Sequence, residues 1–270
     1  MSLSFPPEIE ALRISARDNP LLQRIRKLLA DPGGYRKAGQ VWLEGDHLVS
    51  AALARGWMLE ALVMTDAAWT ARADWQAWTA QSRRTALVSA ELFRGLCSLE
   101  SPVQVGALVS LPQAPSIQPG VFTVVLDRLQ DAGNVGSILR SAAAFGARQV
   151  LALKGTAALW SPKVLRAGMG AHFALSLVES LSVDDLAALA VPLLATSSHA
   201  GLVLGQGALP WPCAWVLGHE GQGVSPALMD RCAHTVSIPQ PGGEESLNVG
   251  AAAAICLFAS ATGAQGTPGA

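Results

Sequence analysis

At 270 residues, 50% of them apolar and 14% charged, the chain can bury a core in two modest domains or one large α/β domain, and extensive disorder is excluded. A formal net charge of −1 gives no global pull towards nucleic acid, so such a partner would have to be held by a local cluster of basic side chains. The cysteines, Cys97, Cys213, Cys232 and Cys256, form no CxxC pair and no metal-ligand spacing; they read as buried, reduced thiols, with neither a disulfide framework nor a metal site expected. The opening MSLSFPPEIEAL lacks a basic region followed by an apolar stretch, so no signal peptide is expected and a cytoplasmic location is.

Asn19-Pro20 opens an amphipathic helix with Leu21, Leu22, Ile25, Leu28 and Leu29 on one face, stopped at Pro32-Gly33-Gly34. A short strand over Val41–Leu43 leads through Glu44-Gly45 into a helix near Asp46–Arg55. Leu59–Met64 and Val103–Val109 read as strands, with a helical stretch carrying Trp69, Trp75 and Trp78 between them. Seven basic residues lie between Arg13 and Lys37 against Asp18 and Asp31, a patch able to hold phosphates or simply a solvated helix face.

Leu111–Gly120, rich in proline and without apolar periodicity, is the predicted linker. It separates an N-terminal domain, residues 1–112, from a second domain, residues 120–270. Beyond it, strands such as Val121–Leu126 alternate with helices, the pattern of a mostly parallel sheet covered by helices. The longest apolar run, Val249–Ala261, is too short to span a bilayer and reads as a buried helix.

Three loops of this second half can carry chemistry. The first, Asp131 to Gly146, follows a strand and opens a helix whose buried face is Val135, Ile138, Leu139 and Ala142. Ser137, Arg140, Ser141 and Ala144 fall opposite, and a glycine ends the helix. Gly133 and Gly136 let a ligand or another chain come close to the backbone. Read plainly, Asn134 caps the helix and Arg140 is an exposed arginine. The second loop, Gly218-His219-Glu220-Gly221-Gln222-Gly223, follows the apolar strand from Ala214; glycine-dense turns at strand C-termini are where α/β sheets bind ligands. The third, Val236 to Val249, runs through Pro-Gly-Gly to Ser246 or Asn248, either of which can cap the last helix.

Together these segments resemble the three motifs of the SpoU (TrmH-like) family of SPOUT methyltransferases: N-x-G-x-x-x-R with a following F-G, L-G-x-E-x-x-G, and I-P-x-x-G-x-x-x-S-L-N-V, in that order and each after a strand. The upstream half is similar to the family's substrate-binding domain, less specifically. The resemblance implies an α/β fold: a C-terminal trefoil-knotted domain with a mostly parallel sheet, preceded by a small α/β substrate-binding domain. It implies S-adenosyl-L-methionine as cofactor, an RNA ribose 2′-hydroxyl as the methyl acceptor, rRNA rather than tRNA by analogy, and a homodimer.

Carried over by position, Arg140, Asn134, Glu220, Ser246 and Asn248 form the implied catalytic set. Thr196, Leu217, Gly218, Ile238, Ser246 and Leu247 would border the cofactor. Arg24, Arg26, Lys27, Arg36 and Lys37, with Lys163 and Arg166, would meet RNA. Ala132 stands where the family often has proline, Gln240 where it often has methionine, and Gly168 and Gly250 where it often has serine. Two other readings stay open: an RNA-binding homologue without catalysis, and a nicotinamide oxidoreductase, for which the G-x-G-x-x-G fingerprint is missing.

Overall fold

The computed structural model describes residues 11–98, 103–113, 115–197, 201–242 and 247–265. The chain divides into two compact units, Met1–Pro112 and Gln113–Ala270. The first holds strands β1 (Ala11–Ile14), β2 (Gln40–Glu44), β3 (Leu59–Thr65), β4 (Thr85–Val88) and β5 (Val105–Ser110) in the order β1-β4-β3-β5-β2. β1, β4 and β3 run parallel, while β5 is antiparallel to both its neighbours. Its helices are α1 (Pro20–Ala30), α2 (Tyr35–Ala38), α3 (Asp46–Ala54), α4 (Asp66–Ala71), α5 (Ala73–Gln76) and α6 (Ala90–Arg94).

Asn19 caps α1 by accepting from the Leu21 N–H at 2.9 Å, with Pro20 at the first helical position, where no N–H is needed. Leu21, Leu22, Ile25 and Leu28 are buried, while Arg24 and Lys27 lie exposed on the opposite face. Trp75 is buried, with the Arg72 guanidinium 3.9 Å from its ring centroid and the ring of Trp78 stacked at 5.8 Å between centroids.

The second unit is a seven-stranded sheet, entirely parallel, in the order β10-β12-β9-β11-β6-β7-β8. Its strands are β6 (Thr123–Leu126), β7 (Gln149–Leu153), β8 (Ser176–Leu181), β9 (Leu193–Thr196), β10 (Leu202–Val203), β11 (Ala214–Leu217) and β12 (His234–Ser237). The central strands β6, β7 and β11 are buried along their whole length, hence their almost wholly apolar sequences. Helices α7 (Ala132–Ala144), α8 (Pro162–Gly168), α9 (Pro226–Met229) and α10 (Val249–Gln265) complete the unit.

α7 buries Val135, Ile138, Leu139 and Ala142, as the spacing predicts, and Gly146 follows it in the left-handed conformation at φ 82°. Gly136 departs from expectation. The close approach it permits is to α8: a Cβ there would stand 2.4 Å from the Ala167 Cβ and 2.8 Å from the Gly168 nitrogen. The glycine serves helix packing within the chain.

α10 also differs from the buried helix expected of Val249–Ala261. Ala253, Cys256, Leu257 and Ser260 face the core, but Phe258 is 54% and Ile255 39% exposed. A helix apolar on all sides carries no pattern to say which side is covered. Cys213 and Cys256 are buried, with burial pushing their thiols up to about 12. Cys97 and Cys232 are only half-buried, against expectation, though burial still pushes each thiol up to about 11. β1, β4 and α6 have no counterpart in the sequence reading.

Candidate active site

The C-terminal ends of the adjacent parallel strands β6 and β11 release two loops side by side. The first loop enters α7, whose N-cap is Asp131: its side chain accepts from the Asn134 N–H at 2.7 Å. Asn134 is therefore inside the helix and is not its cap. A carboxylate was the better acceptor, and Asp131 three residues upstream is the sequence signal for it.

With its backbone satisfied in this way, the Asn134 side chain is available for two other bonds. Its Nδ2 donates to Glu220 Oε1 at 3.3 Å, and its Oδ1 accepts from Asn248 Nδ2 at 3.0 Å. Glu220 also accepts the N–H groups of Asp131 at 3.1 Å and Gln130 at 3.3 Å. Partial burial pushes the Glu220 carboxyl up. Hydrogen bonds from its own N–H, the Asp131 N–H, the Asn134 amide and the Gln130 N–H outweigh that effect and hold it below its ordinary value.

Asn248 caps α10, its Oδ1 accepting from the Gly250 and Ala251 N–H groups at 2.9 and 3.3 Å. Glu220, Asn134 and Asn248, one from each of the three loops, thus form a single hydrogen-bonded chain. Ser246 lies outside the described residues. Arg140 is exposed on α7, and no hydrogen bond or ion pair reaches it among the described residues. A guanidinium so placed remains available to a ligand.

The second loop is closed on itself by His219 and Gly223, which exchange N–H···O bonds of 3.0 and 2.8 Å. Gly218 lies beneath that closure, where a Cβ would stand 2.1 Å from the Gly223 carbonyl carbon, so only glycine fits. The Leu217 side chain is fully buried and its carbonyl accepts from the Asp127 N–H at 2.9 Å. Thr196 ends β9 in register with Val236 of β12, and Ile238 follows that strand, half-buried. Leu247 is 40% exposed. Gln240 carries a buried Oε1 that has no hydrogen-bond partner among the described residues.

Sequence reading missed Asp127 and Arg128, which also join the first two loops. Asp127 is 1% exposed, and its Oδ2 accepts from the Ser225 N–H at 2.6 Å. Arg128 Nε donates to Asp127 Oδ1 at 3.0 Å and its Nη1 to Gln222 Oε1 at 3.1 Å. A buried carboxylate at a strand end was the available signal, but burial is legible only once the strand order is known.

The remaining expected residues lie elsewhere. Lys163 and Arg166 are exposed on α8, beside α7. In the first unit Arg24, Lys27, Arg36 and Lys37 are exposed. Arg24 Nη1 donates to Gln40 Oε1 at 3.1 Å, and the half-buried Arg26 donates through Nη1 to the Arg17 carbonyl at 2.6 Å.

Residues 121–258 match the SpoU rRNA methylase family model, and residues 19–107 match the MRM3-like substrate binding domain. An uncharacterised tRNA/rRNA methyltransferase of Synechocystis is 33% identical, over 94% of this chain and 95% of its own length. The 23S rRNA (guanosine(2553)-2′-O)-methyltransferase of Bacillus subtilis is 28% identical, over 82% of this chain and 88% of its own. The SpoU methyltransferase AviRb of Streptomyces viridochromogenes, solved in complex with AdoMet, superposes with a TM-score of 0.79 at 26% identity, covering 92% of this chain and 99% of that one. The chain belongs to the SpoU rRNA methylase family.

Proposed function

We propose that this protein is an S-adenosylmethionine-dependent RNA methyltransferase that modifies a ribose 2′-hydroxyl of ribosomal RNA. The observation that carries this reading is the Glu220–Asn134–Asn248 chain, which holds the three family loops together beside the ends of β6 and β11. The curated relative from Bacillus subtilis is named for that reaction on 23S rRNA.

The residues present fit the cofactor. Gln240 offers a buried acceptor without a donor among the described residues, which suits an amino group such as that of adenine. Thr196, Leu217, Gly218, Ile238, Ser246 and Leu247 would hold the cofactor, largely through their backbone groups. When bound, S-adenosylmethionine supplies an activated methyl group on its sulfonium. The protein's part is then to align the ribose oxygen with that methyl and to accommodate the charge that develops as the hydroxyl loses its proton.

Arg140 fills the second role. A guanidinium stays protonated at neutral pH, so its chemistry suits stabilising a developing alkoxide and the neighbouring phosphate better than removing a proton. Glu220 and Asn134 set the position of the helix that carries Arg140. The 2′-hydroxyl itself distinguishes RNA from DNA. The basic outer face of α1 and Arg36 and Lys37 would dock RNA through its phosphates, and Lys163 and Arg166 on α8, beside α7, would add further phosphate contacts.

We also infer a homodimer. Trp211, Ile255 and Phe258 are 40%, 39% and 54% exposed around a cleft of about 480 Å³, and a second copy of the chain would cover them. The knot implied by the resemblance is supported by β12, which inserts between β9 and β10 before the chain returns to α10 against α7 and β11. Among the described residues no helix is long and apolar enough to cross a membrane and no cluster of metal-binding side chains occurs. An rRNA substrate calls for the compartment where ribosomes are assembled, in keeping with the expected cytoplasmic location.

The test is to incubate the pure protein with methyl-labelled S-adenosylmethionine and total RNA from a strain lacking the gene, then map the label by nuclease digestion. Label in a 2′-O-methylated nucleotide of one rRNA is expected. Label on a base, or in tRNA alone, would overturn the stated reaction or substrate.

A further inference from the structure

We propose that Arg128 is a positioning residue: its guanidinium latches the Gly218–Ser225 loop to the end of β6 and so sets where Glu220 stands. The inference rests on the function proposed above and adds to it a residue outside the three motifs.

The backbone at Arg128 is the starting point. It holds φ 59°, in the left-handed region that non-glycine residues enter at a cost. The surroundings enforce it. The Arg128 N–H donates to Thr156 Oγ1 at 3.1 Å, and that hydroxyl donates in turn to the Leu126 carbonyl at 3.1 Å. The side-chain stem lies against Gly155, where an added Cβ would stand 3.3 Å from the Arg128 Cγ. A side chain at position 155 would crowd the arginine stem.

What the strained conformation achieves is the direction of the guanidinium. Nε meets the buried Asp127 carboxylate and Nη1 meets Gln222, two residues beyond Glu220. Asp127 in turn takes the Ser225 N–H, so one carboxylate and one guanidinium grip the second loop at two points. Glu220 grips the first loop in the opposite direction through Gln130, Asp131 and Asn134. Removing the guanidinium frees Gln222 and leaves half of the buried Asp127 carboxylate without its partner. The loop then keeps the Ser225–Asp127 bond, its own closure at His219 and Gly223 and the bonds of Glu220 to the first loop, but loses the hold at Gln222, the one nearest Glu220 on its own loop.

Arg128→Gly separates this role from simple stability. Glycine adopts φ 59° without strain, which offsets part of the cost of leaving Asp127 without its partner, so the thermal midpoint should fall only modestly, whereas the loop should loosen. In the ligand-free protein, amide exchange at His219, Gly221 and Gly223 should quicken by about threefold or more while the β6 and β11 amides stay protected. In turnover, kcat should fall by about tenfold to a hundredfold with the KM for RNA unchanged, the mark of a misplaced constellation. Arg128→Lys, which can reach Asp127 or Gln222 but not both, should lie between. Unchanged exchange in Arg128→Gly overturns the latch, whatever the activity. Unchanged kcat with quickened exchange overturns its part in setting Glu220. A wild-type protein that does not methylate RNA counts against the function proposed above, and the exchange measurement still decides the latch.

Discussion

Asn248 donates from its Nδ2 to the Oδ1 of Asn134 at 3.0 Å, joining the cap of the last helix to the first turn of α7 across 114 positions of chain. The same Asn134 donates to Glu220, so one side chain uses its acceptor and a donor on two different loops. Asn134→Ala removes both bonds, and Asn134→Asp sets a second carboxylate against Glu220. Each net bond is worth about 0.5–1.5 kcal/mol, so a modest fall in thermal stability is expected with a much larger loss of turnover. Asn134→Asp should be the worse of the two at neutral pH. Equal activity of Asn134→Asp and wild type would remove the chain from the mechanism.

Glu220 makes the site sensitive to acid. Its folded carboxyl lies below its ordinary value, so folding favours the charged form. The stabilisation is complete above the ordinary carboxylate range, near pH 4–5, and fades as pH falls through the lower folded value. Glu220→Gln has a single acceptor oxygen for these donors and does not titrate. Thermal midpoints followed from neutral pH down to about 3 should therefore converge for the two proteins as pH falls. A gap that widens with acid would show the sign to be wrong.

Arg140 should behave differently from the residues that build the loop. It is exposed and unengaged by any described residue, so Arg140→Ala should leave the thermal midpoint and the affinity for S-adenosylhomocysteine unchanged. Turnover should fall by about a hundredfold or more, the size found when a charge-stabilising donor is deleted. Calorimetry and a single-turnover methylation assay separate the two effects. A fully active variant would end the assignment.

How far such roles are legible in the sequence depends on the distance over which they act. The helical face of α7 and the cap at Asn19 follow from local spacing, and the structure bears them out; of the two caps open for the last helix, Ser246 or Asn248, Asn248 makes the bonds. Of the two readings of Asn134, the local one, a cap, fails because Asp131 fills that place, while its side-chain partners, Glu220 and Asn248, are 86 and 114 positions away and invisible to local spacing. β1 and β4 are four-residue strands that exist by pairing with each other and with β3, and four residues carry too little periodicity to declare themselves. Arg128 shows the same limit, since nothing beside it in sequence points to Gln222.

Gly136 gives a stability test within the first motif. Gly136→Ala would place its methyl against Ala167 and the backbone of Gly168, and neither can withdraw without moving α8. Overpacking of this kind costs about 1–3 kcal/mol, against the usual gain of alanine in a helix. Denaturant unfolding should give a lower midpoint with an unchanged slope. A midpoint equal to wild type would show that α8 yields freely.

The proposed homodimer is tested at the outward face of α10. Phe258 is 54% exposed, meets Phe145 edge-on at 5.9 Å between centroids, and stands with Ile255 and Trp211 beside the cleft. Apolar side chains grouped like this on a helix apolar all round are stabilised by a partner surface. If the partner is a second copy, the contact is self-complementary and one substitution damages it twice. Phe258→Glu should therefore give monomers by light scattering at concentrations where the wild type is dimeric, with the secondary structure retained. Because α10 also packs on α7, which carries Arg140, methylation should fall together with dimerisation and recover partly at high protein concentration. A wild-type chain that is monomeric throughout, with full activity, would leave this face to some other occupant and the site complete in one copy.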